Sequence, residues 1–353
     1  MSCDDTGFRS KENRPVFHGG RLREASERYG IPLSGWLDLS TGINPFAYPL
    51  QNPPLEVWQR LPETNDGLEL AATQYYWPNG VPSGATLFPM AGSQAAIQLL
   101  PQIRKILCSG GVPERVLFLS PSYQEHWLAW QRAGFTCFSK SRLDDTLVAT
   151  ADILVVINPN NPTGQLFEPD QLLRWHRQLA SRNGWLIVDE AFMDVSPAYS
   201  LAQYAGMTGL MVLRSLGKFF GLAGARVGFA LGQSSVIEWL ESMAGPWGVA
   251  GPSRWVAAQA LQDKTWQNGQ RQTLNAASVR LDTLLRRYQL PVSGGCALFR
   301  WLTHPEAAQW HHLLAENAIL TRYFPAANGL RFGLPAGEEN WQRLEHALRK
   351  ISA

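Results

Sequence analysis

The chain of 353 residues is long enough to bury one large core or to divide into a large and a small domain. Hydrophobic residues make up 45% of it and charged residues 17%, which excludes an intrinsically disordered or fibrous protein. A formal charge of only +2, with basic residues scattered along the sequence, argues against a nucleic-acid partner.

The four cysteines, Cys3, Cys108, Cys137 and Cys296, are far apart and form no C-x-x-C pair. They predict neither a zinc site nor a disulfide framework, so we expect no metal and a reducing, cytoplasmic environment. The first 14 residues are polar and charged, which is not the pattern of a signal peptide. Because no apolar run is long enough to span a bilayer, we also expect no association with a membrane.

The first clear elements are short apolar runs that alternate with helical stretches. Their composition is typical of buried strands, and we predict strands at 116–120, 153–159, 185–192 and 211–218. One intervening helix is predicted over 170–184, with Gly184 as its C-cap. This alternation predicts an α/β fold whose large domain has a mostly parallel sheet, covered by helices on both faces.

The pattern changes after about Pro246. A long helical stretch is followed by a predicted strand at 295–302, a short helix and the segment 329–335, which reads GLRFGLP. This mixture predicts a smaller α+β domain, joined by the N-terminal arm. We therefore predict three regions: the arm and part of the small domain at 1–47, the large domain at 48–245, and the rest of the small domain at 246–353.

Polar residues lie at or just after the carboxyl ends of three predicted strands: the segment 158–161, Asp189 and Lys218. Because ligands of parallel sheets bind at this edge, we expect these residues to share one crevice. Lys218 ends an apolar strand, which is unusual for a solvated charge, and Ser215 and Arg226 flank it and could hold a phosphate. For an isolated lysine in this position, a structural role is still the more common explanation.

Three motifs together indicate a family. The segment 215–228 reads S-x-x-K-x-x-G-x-x-G-x-R-x-G, 158–164 reads NPNNPTG, and 188–192 reads VDEAF. In this order and spacing they resemble the hallmarks of the class I and II aminotransferases, and the likeness covers nearly the whole chain. It implies a fold-type-I transferase that carries pyridoxal 5′-phosphate as a Schiff base on Lys218, in the large domain. It also implies a homodimer.

The resemblance implies a set of cofactor contacts. Asp189 would pair with the protonated pyridine nitrogen and would be catalytic together with Lys218. Asn161 would donate to the ring 3′-oxygen, Tyr123 would stack on the ring, and His126 would lie close by, near Asp189. The cofactor phosphate would be held by Gly92, Ser93, Gln94, Ser215 and Arg226. Considered singly, each of these residues could instead belong to a buried ion pair, a turn, a helix start or the core.

The chain departs from its relatives at two positions. Phe192 stands where many of them have a tyrosine, so one hydrogen bond to the 3′-oxygen would be missing. Leu61 stands where the histidinol-phosphate branch has a tyrosine that reaches across the dimer to the cofactor phosphate. What replaces that contact is left open by the sequence.

The N-terminal region indicates the substrate. Residues 17–30 read FHGGRLREASERYG, and 37–49 read LDLSTGINPFAYP. They resemble the opening of the cobalamin-pathway threonine-phosphate decarboxylases. That resemblance implies that a set of residues lines the substrate pocket: His18, Gly19, Gly42, Asn161, Arg322 and Arg331.

Two of these residues would hold the anionic groups of the substrate. Arg331 would hold the α-carboxylate together with Asn161, and Arg322 would hold the phosphate together with His18 and Gly19. Without the family context, a surface arginine is the ordinary explanation for each arginine. At Gly42 a relative has asparagine, so any side-chain contact is lost there.

Three functions follow as hypotheses. The first is pyridoxal-phosphate-dependent decarboxylation of O-phospho-L-threonine to (R)-1-amino-2-propanol O-2-phosphate and CO2 in cobalamin biosynthesis. The second is an aminotransferase for a phosphorylated amino substrate such as histidinol phosphate. The third is a non-catalytic module that keeps the fold, which the intact Lys218, Asp189, Asn161 and Arg226 disfavour. The choice between decarboxylation and transamination comes from the resemblance, because the lysine motif is common to both.

Overall fold

The computed structural model describes residues 18–108 and 114–351. Residues 1–17 of the predicted arm, including Cys3, lie outside the described residues. The strands are β1 Leu37–Asp38, β2 Ala85–Met90, β3 Arg115–Leu119, β4 Thr136–Lys140, β5 Ile153–Ile157, β6 Trp185–Asp189, β7 Leu210–Ser215, β8 Gly228–Gln233, β9 Val292–Cys296, β10 Phe299–Thr303, β11 Ile319–Leu320, β12 Arg322–Phe324 and β13 Gly329–Gly333. The helices are α1 Leu22–Tyr29, α2 Glu56–Gln59, α3 Leu68–Tyr76, α4 Ser93–Leu107, α5 Gln124–Arg132, α6 Asp145–Ala149, α7 Pro169–Ala180, α8 Ser234–Ala244, α9 Gly251–Gln262, α10 Lys264–Arg287, α11 Ala307–Glu316 and α12 Gly337–Ile351.

A seven-stranded sheet in the order β2-β8-β7-β6-β5-β3-β4 lies at the centre of the larger part of the chain. β8 runs antiparallel to both of its neighbours, and the other adjacent strands are parallel. β5 and β6 are buried along their whole length, as expected for parallel strands covered on both faces. The predicted α/β fold with a mostly parallel sheet is confirmed.

Alternate residues of these strands enter two separate apolar cores, because successive side chains of a strand point to opposite faces. In β5, Ile153 and Val155 pack with residues of α4, α5 and α8. Leu154 and Val156 pack with α7 and with much of the C-terminal region. Both faces of the sheet are therefore anchored, so the loops that follow its strands start from a rigid edge.

The four predicted strands are present, but each ends slightly earlier than predicted. β5 ends at Ile157, since Pro159 has no N–H with which to continue the ladder. β6 ends at Asp189 and β7 at Ser215. Lys218 consequently lies in a loop at the edge of the sheet where ligands bind.

The predicted C-cap at Gly184 is wrong. α7 ends at Ala180 with Ser181 as its C-cap, and the chain makes a further turn before β6. Asn183, with φ of 59°, takes the left-handed conformation in that turn. Gly184 instead allows two backbone segments to lie close together, because a Cβ atom there would lie 2.4 Å from the carbonyl oxygen of Asp152.

The C-terminal region contains a second, antiparallel sheet in the order β12-β13-β10-β9. The single strand predicted over 295–302 is wrong, because this segment holds the end of β9, a turn, and most of β10. Glycines allow β9 to lie against the loop after β5, since a Cβ atom on Gly294 would lie 2.2 Å from the carbonyl oxygen of Thr163. The C-terminal sheet is thus in close backbone contact with the loop that carries Asn161.

β1 pairs in parallel with β11, which attaches the N-terminal segment to the C-terminal region. α9 packs against α3, so a segment after residue 246 still contacts a helix of the predicted large domain. The division at 1–47, 48–245 and 246–353 stays a prediction. Within residues 18–108 and 114–351, no helix combines the length and the apolar character needed to cross a membrane.

Candidate active site

Lys218 lies in the loop after β7, with its Nζ 5.5 Å from the centre of the Phe192 ring. The pKa of Lys218 is lowered to about 8, mainly by burial and next by the charge of Arg331. The Asp189 carboxylate opposes this shift, and the charge of Arg226 adds to it. The uncharged fraction of this amine at neutral pH is therefore much larger than that of an ordinary lysine. An uncharged lysine amine is a nucleophile toward carbonyl groups.

Asp189 ends β6 and is only 3% exposed. Its Oδ2 lies 2.9 Å from Nε2 of the buried His126, and its Oδ1 accepts the backbone N–H of Ala191 at 3.1 Å. The predicted proximity of His126 to Asp189 is thus present in the structure. The imidazole orients this carboxylate and satisfies part of its hydrogen-bonding capacity.

The neighbouring Glu190, and not Asp189, forms a buried ion pair with an arginine, Arg214. Glu190 accepts hydrogen bonds from Arg214 Nη1 at 2.5 Å and from Ser200 Oγ at 2.6 Å. Its burial raises the pKa of its carboxyl, and Arg214 works in the opposite direction. The two adjacent acids point to opposite sides of the strand end, so only Asp189 faces the crevice side occupied by His126.

An anion-binding cradle lies at the N-terminus of α4. A Cβ atom on Gly92 would lie 2.5 Å from Nη2 of Arg226, and one on Gly228 would lie 2.3 Å from the backbone nitrogen of Ser93. The first N–H groups of the helix and a guanidinium group therefore face the same small space, a combination that suits a phosphate. Ser215, which is buried below it, accepts the backbone N–H of Gly217 at 3.3 Å.

Tyr123 connects this cradle to the acid. Its hydroxyl donates to Oε1 of Gln94 at 3.2 Å, and its ring meets that of His126 edge-on, with centroids 6.4 Å apart. Burial raises the pKa of the Tyr123 phenol. Tyr123 stays protonated at neutral pH and supplies a flat aromatic surface between Gln94 and His126.

Arg331 is 4% exposed and connects three distant segments of the chain. Its Nη1 donates to Oδ1 of Asn161 at 2.5 Å, and its Nη2 donates to the carbonyl oxygen of Ser40 at 2.6 Å. Its buried Nε has no hydrogen-bond acceptor among the described residues. Burial, and next the charge of Arg322, lower the pKa of Arg331 to about 10, so the group stays cationic at neutral pH. It is a buried cation whose Nε–H, at least, is left as a donor for an anion.

Arg322 is directly opposite Arg331 in the β12–β13 pair, so both side chains leave the same face of the sheet. Its guanidinium carbon lies 5.1 Å from the centre of the Phe324 ring, and no carboxylate among the described residues pairs with it. Burial, followed by the charge of Arg21, lowers the pKa of Arg322. Two cations without acid partners on one face can receive a ligand with two anionic groups.

The N-terminal segment lies next to Arg331. A Cβ atom on Gly19 would lie 2.3 Å from the carbonyl oxygen of Ser40, and the N–H of Gly20 donates to Ser40 Oγ at 2.7 Å. Gly42, with φ of 62°, lies so close that a Cβ atom would be 3.7 Å from Cζ of Arg331. The structure therefore brings Gly19, Gly42 and Arg331 together around one residue that sequence reasoning missed, Ser40.

The two departures from the family pattern have different surroundings. Phe192 is buried and meets the ring of Phe299 edge-on at 5.2 Å, so it packs where a tyrosine would donate a hydrogen bond. Leu61 is 62% exposed in the single chain.

Glu125 is a second residue that sequence reasoning missed, and it stands between Tyr123 and His126 in the sequence. Its carboxylate bonds His18 and Gln94, at 2.9 and 3.0 Å. A glutamate in the first turn of a helix is common because it complements the helix dipole. The position of Glu125 in the sequence therefore gave no reason to expect its bond to His18. The functional roles of the site residues stay predictions.

The sequence is similar to known proteins along most of its length. The family model described as aminotransferase class I and II matches residues 62–351. Threonine-phosphate decarboxylase from Pseudomonas aeruginosa is 52% identical over 94% of this chain and 96% of that protein. Threonine-phosphate decarboxylase from Sinorhizobium sp is 37% identical over 96% and 98%.

Solved structures share the fold at much lower identity. Histidinol-phosphate aminotransferase from Sinorhizobium meliloti, in complex with pyridoxal-5′-phosphate, has a TM-score of 0.77 over 98% of both chains. Its sequence identity is 16%, so this likeness concerns the fold alone.

Proposed function

The chain belongs to the aminotransferase class I and II family, and we propose that it decarboxylates O-phospho-L-threonine with pyridoxal 5′-phosphate as its cofactor. The products are (R)-1-amino-2-propanol O-2-phosphate and CO2, and the pathway is cobalamin biosynthesis. The observation that carries this proposal is the 52% identity to a threonine-phosphate decarboxylase along 94% of the chain. The paired cations Arg322 and Arg331 support it, since this substrate has a phosphate and a carboxylate.

The residues present fit the cofactor. The space between Gly92 and Arg226, which a single Cβ atom would fill, lies at a helix N-terminus and suits its phosphate. The donors there would be the backbone N–H groups of Gly92, Ser93 and Gln94, the Ser215 hydroxyl and the Arg226 guanidinium. Tyr123 would cover one face of the ring. Lys218 would hold the cofactor covalently through the cofactor's aldehyde group, with loss of water, since its lowered pKa makes the amine available.

When bound, pyridoxal 5′-phosphate supplies a cationic ring that accepts the electron pair released at the substrate Cα. Asp189 keeps the pyridine nitrogen protonated, because a buried carboxylate stabilises a neighbouring positive charge. His126 keeps that carboxylate oriented from the other side, at 2.9 Å. Asn161 would donate to the ring 3′-oxygen, a contact for which Phe192 offers no substitute.

Arg331 and Arg322 bind and orient the substrate. The carboxylate would be received by Arg331, whose Nε still lacks an acceptor, together with Asn161. The phosphate would be received by Arg322, with His18 and Gly19 at the border of the pocket. Binding energy from the remote phosphate can hold the bond between Cα and the carboxylate in the orientation from which CO2 leaves. Lys218 is the acid that would then return a proton to Cα.

The test is to mix the purified, cofactor-loaded protein with O-phospho-L-threonine, without a 2-oxo acid, and to measure CO2 release. We expect release that is lost in Lys218→Ala. Glutamate formation from histidinol phosphate and 2-oxoglutarate, without any CO2, would reject this proposal in favour of an aminotransferase.

The proposal also includes the assembly and the location: the chain forms a homodimer, and it acts in the cytoplasm. Leu55, Trp58 and Trp247 are more than half exposed in the single chain, which is unusual for large apolar side chains and favours a covered face. The free thiols of Cys108, Cys137 and Cys296 fit a reducing compartment. Light scattering coupled to size-exclusion chromatography would measure the mass, and a monomer at micromolar concentration would reject the dimer.

A further inference from the structure

The carboxylate of Glu125, in the first turn of α5, is bonded by side chains from two other parts of the chain. Oε1 lies 2.9 Å from Nε2 of His18 in the N-terminal segment. Oε2 accepts from Nε2 of Gln94 at 3.0 Å and, more weakly, from Nε2 of Gln98 at 3.4 Å, both in α4. The Glu125 side chain is only 14% exposed, so these bonds replace most of its contact with water.

His18 depends on this carboxylate for its position. Its side chain is 45% exposed, and Glu125 is its hydrogen-bond partner among the described residues. Its other close neighbour is the ring of Tyr123, at 5.9 Å between centroids and tilted by 52°. An exposed imidazole with one tilted ring contact would rotate freely if the charged partner were removed.

The backbone next to His18 has a second anchor, which is Ser40. The N–H of Gly20 donates to Ser40 Oγ, and the Ser40 carbonyl oxygen accepts from Arg331. The segment 18–20 is therefore held by its backbone on the Arg331 side and by the His18 side chain on the Tyr123 side. It spans the distance between the part of the pocket that holds the substrate carboxylate and the part that holds the cofactor.

We propose that Glu125 is a positioning residue that holds His18 in place beside Tyr123, and that it thereby sets the affinity for the phosphorylated substrate. This inference rests on the proposed function. Without Glu125, the segment would have to be ordered when the substrate binds, at a cost in conformational entropy. The cost falls on binding rather than on the chemical step, because Glu125 touches neither Lys218 nor Asp189 through any of these bonds.

A structural role in the cofactor cradle makes a different prediction. In that case Glu125 would act through Gln94, whose backbone N–H lies in the first turn of α4. Loss of Glu125 would then weaken cofactor retention, with or without His18. Glu125→Ala removes the bonds to both His18 and Gln94, whereas His18→Ala removes only the first, so a double-mutant cycle separates the two roles.

The experiment compares Glu125→Ala, His18→Ala and the double variant as holoenzymes with O-phospho-L-threonine. We expect each single change to raise KM about tenfold while kcat changes less than about twofold, and the double variant to be no worse than either single one. Glu125→Gln retains an oxygen acceptor for His18 and should recover most of the affinity. Glu27→Ala removes an exposed carboxylate of α1 and is the matched control, with no change expected.

A second readout does not require activity. Hydrogen exchange at the Gly20 amide, measured in the holoenzyme without substrate, should become faster in Glu125→Ala and stay unchanged in Glu27→Ala. Unchanged exchange, or a loss of bound cofactor in Glu125→Ala that persists in the His18→Ala background, would overturn the positioning role. A wild-type enzyme that releases no CO2 would instead refute the proposed function, while the exchange result would still decide whether Glu125 holds the segment.

Discussion

Arg322 lies directly opposite Arg331 on adjacent antiparallel strands, so two guanidinium groups leave the same face of the C-terminal sheet. Like charges opposite each other on a sheet are destabilising unless an anion lies between or beside them. Arg331 is bound to Asn161 and Ser40, whereas Arg322 has no acid partner among the described residues. The pair therefore predicts two separable contributions to substrate binding.

Arg331→Gln should weaken recognition of the carboxylate. We expect kcat/KM for O-phospho-L-threonine to fall on the order of 100-fold, the loss typical of a charge-assisted hydrogen bond. Inhibition by O-phosphoethanolamine, which lacks the carboxylate, should change little. Steady-state kinetics with both compounds would test this, and an equal loss for the two would contradict it.

Arg322→Gln should weaken recognition of the phosphate. Binding of O-phospho-L-threonine and of O-phosphoethanolamine should both decrease about 30-fold, because both compounds have the phosphate. The visible absorbance of the bound cofactor should stay at the wild-type level, since we propose that Arg322 contacts the substrate and not the cofactor. Selective loss of only one of the two ligands would show that the phosphate is held elsewhere.

The pH dependence of cofactor incorporation should reflect Lys218. Its pKa of about 8 means that the amine is protonated and unreactive below that pH and becomes nucleophilic above it. The rate at which the cofactor-free protein acquires the lysine-bound absorbance should therefore rise through about pH 8.

Two variants should move this midpoint in opposite directions. Arg331→Gln removes a cation that lowers the pKa of Lys218, so the midpoint should rise. Asp189→Asn removes an anion that raises it, so the midpoint should fall. Stopped-flow absorbance across a pH series would measure both, and a shift in the same direction would exclude Lys218 as the titrating group.

Gly92→Ala should disrupt the phosphate cradle. The added Cβ atom would lie 2.5 Å from Nη2 of Arg226, and the φ of 76° is unfavourable for alanine. We expect the cofactor Kd to rise at least about tenfold. Gly269 lies within α10 and has open space around an added Cβ atom, so Gly269→Ala is the same chemical change without a contact and should leave the Kd unaltered. Dialysis against cofactor-free buffer would distinguish them.

Much of the fold could be predicted because it depends on local patterns. The apolar runs of β3, β5, β6 and β7 identified the parallel sheet, and the strand ends identified the edge that carries Asp189 and Lys218. Two local predictions were wrong where tertiary contacts decided the outcome. Gly184 is kept small by the carbonyl of Asp152, and the segment 295–302 turns back on itself to form a hairpin.

The sequence alone determined the fold class, the family and the residue types of the site, since each can be recognised from short segments that have their own periodicity or motif. Tertiary structure alone decided which side chains meet. Glu125 and His18 are 107 residues apart and Arg331 and Asn161 are 170 apart. No local pattern specifies such pairs, because they depend on how the N-terminal segment, α5 and the C-terminal sheet pack together around the loops at one edge of the large sheet.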